Sequence, residues 1–117
     1  MFQKSGDRLW TTGPYRLSEP VWYSLIRLTG ADMAHIGMVG GYLDESPRQV
    51  QARIDALRPA IPSFSCGMEP KLVRPIVEQF GQDVMLTSGG YIHSHPDGIV
   101  AGCRAMREAI DAATTGH

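Results

Sequence analysis

The chain is short of several things, and each shortage removes a class of function. It has two cysteines in 117 residues, Cys66 and Cys103, far apart and in no C-x-x-C spacing, so it encodes neither a disulfide framework nor a cysteine-rich metal module. Both read as reduced packing residues, one ending a strand and the other on the apolar stripe of a helix. No run of about 18 apolar residues occurs, which argues against a membrane span. The start, Met1-Phe-Gln-Lys-Ser-Gly-Asp7, lacks the apolar core of a signal peptide, so a cytoplasmic location is the default. An excess of charge of one sign is missing too. Lys and Arg number 11 against 12 Asp and Glu, and they are scattered, which leaves no basic face for DNA or RNA.

What the chain does have is one domain's worth of alternating helix and strand signals. Ser18 fits an N-cap over Glu19 to Thr29, where Val21, Leu25 and Leu28 recur at helical spacing and Gly30 follows as a stop. Trp22 and Tyr23 on that helix read as packing groups. Asp32 to Ile36 reads as a short buried strand running into a loop with Gly37, Gly40 and Gly41. Ser46-Pro47-Arg48-Gln49 has the form of a capping box with proline in the first turn. In the helix it opens, Val50, Ile54 and Leu57 share one face, and Arg48, Gln51, Arg53, Asp55 and Arg58 take the other. Ile61 to Ser65 is a strand candidate weakened by Pro62. Pro70 opens a third helix with Leu72, Ile76 and Phe80 on one side, Pro75 inside it and Gly81 at its end. Val84 to Thr87 is a third strand. Ile99 to Thr114 is a last helix, with Ile99, Cys103, Met106, Ile110 and Ala113 as its stripe.

Helix and strand alternating at this spacing imply an α/β fold with a parallel sheet and helices on one side. Three such strands cannot close a barrel and leave parallel edges and an apolar sheet face uncovered. The expectation is therefore a piece of something larger, or an obligate oligomer. Chemistry in such sheets sits at the C-terminal strand ends, here His35 to Gly41, Ser65 to Met68 and Ser88 to His95. All three are rich in glycine and small polar residues. In Leu86-Thr-Ser-Gly-Gly-Tyr-Ile-His-Ser-His-Pro-Asp-Gly98, paired glycines follow a strand and precede a helix, an arrangement that lets an anion approach backbone amides.

The order His35-Ile-Gly37, Ser65-Cys-Gly67, Gly89-Gly90 with His95-Pro96 and Gly98, then Ala101-Gly-Cys-Arg-Ala-Met-Arg-Glu-Ala109, resembles the C-terminal part of the RuBisCO large-chain superfamily. The spacing matches without gaps from Pro62 to Gly98. The segments from His93 to Gly98 and from Ala101 to Ala105 resemble the RuBisCO-like proteins more than the true carboxylases. The resemblance implies the last three βα units of a TIM-type (β/α)8 barrel, a single fragment over residues 1–117 with 1–17 irregular. Trp10 would pack on barrel parts outside this chain. It implies that His35 contacts a phosphate of a phosphorylated keto-sugar, that Ser65 bonds the sugar backbone, and that the amides of Gly67, Gly89 and Gly90 hold the other phosphate. Tyr42 stands where carboxylating members carry a lysine that steadies the CO2-derived group, and a phenol supplies no such cation. The implied cofactor is magnesium, whose carbamylated lysine, aspartate and glutamate ligands lie on an early strand, and the implied assembly is a homodimer. None of those ligands falls in this chain. The expectation is a C-terminal fragment of an enolase, isomerase or carboxylase-type enzyme, inactive alone.

Two other readings compete. His93-Ser-His95-Pro96 resembles the zinc motif of JAMM deubiquitinases, which would make the chain a zinc-dependent hydrolase. Cys103 and Met106 occupy the places of its serine and aspartate ligands, and Asp111 comes too late. Read as an extended segment, His93 and His95 face opposite ways, with His95 fixing the turn before Pro96. The third reading is a non-catalytic α/β module that pairs its apolar sheet face with another copy.

Overall fold

The structure, a computed structural model, describes residues 13–42 and 45–115. Trp10 and the irregular reading of residues 1–12 lie outside the described residues. The elements follow the order α1 (Glu19–Leu28), β1 (Met33–Gly37), α2 (Pro47–Leu57), β2 (Ile61–Phe64), α3 (Pro70–Phe80), β3 (Met85–Leu86), α4 (Gly89–His93) and α5 (Ile99–Thr114). The three strands form one parallel sheet in the order β1-β2-β3. No helix among the described residues is long and apolar enough to cross a membrane.

Local chemistry accounts for most of the boundaries. The capping box at α2 is complete: Gln49 N–H donates to Ser46 Oγ at 3.4 Å, and Ser46 N–H donates to Gln49 Oε1 at 3.2 Å. Ser18 does precede α1, but its side chain makes no capping bond, and Glu19 and Pro20 fill the first turn instead. Helix α3 runs through Pro75, which has no N–H to donate to the i−4 carbonyl of the exposed Lys71. Pro62 is tolerated in the central strand because β2 pairs with β3 only from Ser63 onward. Its missing N–H thus falls ahead of that ladder.

Burial corrects several face assignments. On α1 the buried residues are Tyr23 and Ile26, while Val21, Leu25 and Leu28 are exposed. On α5 the buried positions are Gly102, Met106 and Ala113, so Ile99 and Cys103 fall outside the stripe. Both cysteines are free but exposed, and Cys66 has φ 74°, so neither is a packing residue. The largest correction is Arg53, which periodicity places on the polar face of α2 and which is 2% exposed. Its guanidinium bonds Glu19 Oε2 at 2.7 Å, Glu45 Oε1 at 2.8 Å and the Ile36 carbonyl at 2.8 Å, and lies over the Tyr23 ring. One buried cation therefore joins α1, β1, α2 and the β1–α2 loop. Burial works to lower its pKa, and the bonds and charges of the two glutamates outweigh that effect and raise it.

Helix-side packing is apolar. Ala34 and Ile36 of β1 are fully buried, and Phe64 of β2 meets Phe80 of α3 at 5.1 Å between ring centroids. Alternation along the strands puts His35 and Ser63 on the opposite face. That face is not simply an apolar surface waiting for cover. At its C-terminal end it carries a hydrogen-bonded row, His35 Nδ1 to Ser63 Oγ at 3.4 Å and Ser63 Oγ to Thr87 Oγ1 at 3.1 Å.

Candidate functional site

Three loops leave the C-terminal strand ends, and hydrogen bonds stitch them together. An irregularity between His35 and Gly37 adds one residue to β1 against β2 and redirects the chain as it leaves the sheet. The first loop is closed at its base by Glu45: Met38 N–H donates to Glu45 Oε2 at 3.1 Å, and Glu45 N–H donates to the Met38 carbonyl at 3.3 Å. Tyr42 N–H then donates to the Cys66 carbonyl at 3.1 Å, joining the first loop to the second. Gly41 makes that approach possible, since a Cβ there would lie 2.4 Å from the Cys66 carbonyl oxygen. Ser88 Oγ donates to the Met68 carbonyl at 2.8 Å, joining the second loop to the third.

The stitched loops enclose a cleft of about 440 Å³. Of the residues singled out in the sequence, Ser65, Gly67, Gly89 and Gly90 line it together, and Tyr42 reaches its wall. His35 does not line it. It is 7% exposed and sits beneath, one step from Thr87 through Ser63. Burial holds the His35 pKa below 6.5, so its imidazole is neutral at pH 7. Tyr23 Oη donates to the His35 backbone carbonyl at 3.3 Å and fixes the main chain there.

Sequence reasoning missed two contributors to this face. Thr87 lines the cleft from the last residue of the expected third strand. The other is α4, a five-residue helix that starts on Gly89 and Gly90. Opening a helix leaves both amides without intrahelical acceptors. A Cβ built at either position meets nothing within 4 Å, so the space beside them is open. The same helix overturns the extended reading of His93 to His95. His93 ends α4, while His95 Nδ1 accepts from Asp97 N–H at 3.2 Å, the turn-fixing role expected of it, and its ring meets Tyr91 edge-on. Among the described residues no group of three or more His, Cys, Asp or Glu converges to hold a metal ion. Among the described residues the two histidines thus have no third partner for zinc, and those donors do not fit a magnesium site either.

Comparison with known proteins follows the same outline. Residues 51–117 match the family described as ribulose bisphosphate carboxylase large chain, catalytic domain. A ribulose bisphosphate carboxylase of Methanocaldococcus jannaschii is 35% identical over 113 aligned positions, covering 79% of this chain and 27% of that protein. A 2,3-diketo-5-methylthiopentyl-1-phosphate enolase of Geobacillus kaustophilus is 37% identical over 111, covering 88% of this chain and 27% of that protein. The crystal structure of the octameric ribulose-1,5-bisphosphate carboxylase/oxygenase of Pyrococcus horikoshii superposes with a TM-score of 0.86 at 29% identity, covering 97% of this chain and 30% of that one. The chain thus spans less than a third of the length of these relatives. With its parallel α/β architecture and the match over residues 51–117, the chain belongs to the RuBisCO large-chain catalytic-domain family, whose members include both carboxylases and RuBisCO-like enzymes.

Proposed function

We propose that this chain is the substrate-phosphate grip of a RuBisCO-like, magnesium-dependent enzyme acting on a phosphorylated keto-sugar, built from the last three βα units of a TIM-type barrel. The observation that carries this reading is the convergence of Ser65, Gly67, Gly89 and Gly90 on one cleft whose three loops are bonded to each other. Backbone amides on tied loops are preorganised donors for an anion. In this reading Gly67, Gly89 and Gly90 hold a phosphate, and the Ser65 hydroxyl bonds the sugar. His35 stands at the neighbouring strand end for the second phosphate.

Magnesium would supply Lewis acidity to the whole enzyme, and none of the described residues would hold it. Its ligands belong to strands outside this chain, so the 117-residue chain binds and orients but carries out no enolisation. Tyr42 at the lysine position favours enolase or isomerase chemistry over carboxylation, since a neutral phenol offers no cation to a carboxylate product. The whole enzyme works as a homo-oligomer in the cytoplasm, in keeping with the octameric assembly of the Pyrococcus horikoshii relative.

The test is a titration of isotopically labelled chain with millimolar inorganic phosphate and with a sugar bisphosphate, read at backbone amides. Saturable shifts of Gly67, Gly89 and Gly90 are expected. Their silence in a folded sample would overturn the reading.

A further inference from the structure

We propose that His35, Ser63 and Thr87 form a hydroxyl relay in which Ser63 is a positioning residue and Thr87 donates a hydrogen bond to the bound phosphate. This rests on the phosphate reading above and adds two residues to it. The row crosses all three strand ends, from a buried imidazole through a serine with no exposed surface to Thr87, which lines the cleft. Ser63 has one proton to give, and where it stays within the row, to His35 Nδ1 or to Thr87, the row has two proton orders. If Ser63 donates to His35 Nδ1, then Thr87 donates to Ser63, and Thr87 shows only lone pairs to the cleft. If His35 carries its proton on Nδ1 and donates to Ser63, then Ser63 donates to Thr87, whose own proton is free to enter the cleft.

An anion selects between the two orders. It is repelled by the lone pairs of the first and accepts a hydrogen bond in the second. Because His35 is neutral near pH 7, its tautomer is the variable that moves, and no net proton uptake is needed. The coupling is reciprocal: the phosphate at the glycine amides favours the Nδ1–H tautomer to the same degree that this tautomer favours it, whereas a second phosphate taking a hydrogen bond from Nε2 would favour the opposite tautomer. Ser63 touches no ligand. It transmits the state of a buried ring to an exposed hydroxyl, a task alanine cannot perform.

The experiment is 15N spectroscopy of the His35 ring in the full chain, with and without saturating inorganic phosphate, alongside the Gly67, Gly89 and Gly90 amides. In the wild type, phosphate is expected to move Nδ1 towards the protonated form. Thr87→Val should weaken phosphate about tenfold, the worth of one hydrogen bond to a charged group. Ser63→Ala should abolish the ring response while the glycine amides still titrate. Glycine amides that respond while the wild-type ring stays silent overturn the relay and leave the phosphate reading standing. A ring response that persists in Ser63→Ala also overturns it. If no glycine amide responds, both readings fall. Since the wild-type ring measurement decides by itself, a misfolded variant cannot rescue the proposal.

Discussion

Gly102→Ala sets two well-characterised effects against each other. In an exposed helix interior, alanine is preferred over glycine by about 1 kcal/mol, so on propensity alone the change should stabilise α5. The structure says otherwise. A Cβ at position 102 would lie 2.9 Å from both Cα and the carbonyl oxygen of Ile92 and 3.1 Å from His95 Cβ, where ordinary contact begins at 3.4 Å. Two of those atoms are backbone, so no rotamer change relieves the clash, and α4 must retreat by about 0.5 Å. Overpacking that moves backbone costs about 2 kcal/mol, which leaves a net loss of about 1 kcal/mol after the propensity gain. For a chain of this size that lowers Tm by about 4 °C. Ala112→Gly, at an exposed position of the same helix, measures the propensity effect alone. Circular dichroism melts of the three proteins provide the comparison. Because α4 begins with Gly89 and Gly90, Gly102→Ala should also shift those amides and weaken phosphate. A Gly102→Ala variant more stable than wild type would refute the close α4–α5 packing and the cleft geometry that depends on it.

Three further outcomes are expected. Arg53→Met removes the buried cation that Glu45 and Glu19 share and should cost about 3 kcal/mol in urea unfolding, the lower end for a broken buried pair because Glu19 is one-third exposed. Adding Glu45→Gln should restore part of that loss, and an additive double variant would show that the charges do not interact. At Cys66, whose φ of 74° suits glycine, Cys66→Gly should stabilise by about 0.5 kcal/mol after the entropy cost of glycine, whereas Cys66→Val should cost about 1–2 kcal/mol; equal urea midpoints would contradict the backbone assignment. Finally, the His35 pKa is lower folded than unfolded, so the unfolded chain binds the extra proton. Its contribution to stability is therefore complete above pH 6.5 and is lost as pH falls below it, with a slope no steeper than about 1.4 kcal/mol per pH unit for one proton. The difference between wild type and His35→Gln, followed by urea unfolding from pH 8 to 5, should show that slope, and parallel curves would refute it.

Which features the sequence revealed follows from the range of the forces involved. Signals that act within four residues were legible: the Ser46–Gln49 capping box, the glycine after α1, and the prolines that open α2 and α3 all appear as read. The parallel order of strands followed from connection lengths, another near-local property. Arg53 was not legible, because its burial depends on Glu19, 34 residues away, and on Glu45 in a loop. A cation at a polar helical position looks solvated until its partners are placed. Helix α4 was missed for the opposite reason, since Gly89-Gly90 is poor helix material and five residues carry no periodicity. Packing against α5 through Gly102 accounts for its presence.

The candidate site divides along the same line. Glycine and serine at strand ends mark the cleft because backbone exposure is a local property, and four of the five expected site residues meet there while His35 lies buried beneath. What the sequence could not show is that the polar residue next to one strand end, Ser63, sits in register with His35 and within reach of Thr87. Read along the strand, Ser63 is an ordinary small residue between Pro62 and Phe64. Only pairing turns it into the bridge between a neutral buried imidazole and an exposed hydroxyl. If the relay holds, the anion preference of this cleft depends on a side chain that never touches the ligand. Replacing the glycines would then test only the part of the site that motifs can reveal, and Ser63→Ala would test the part that register creates.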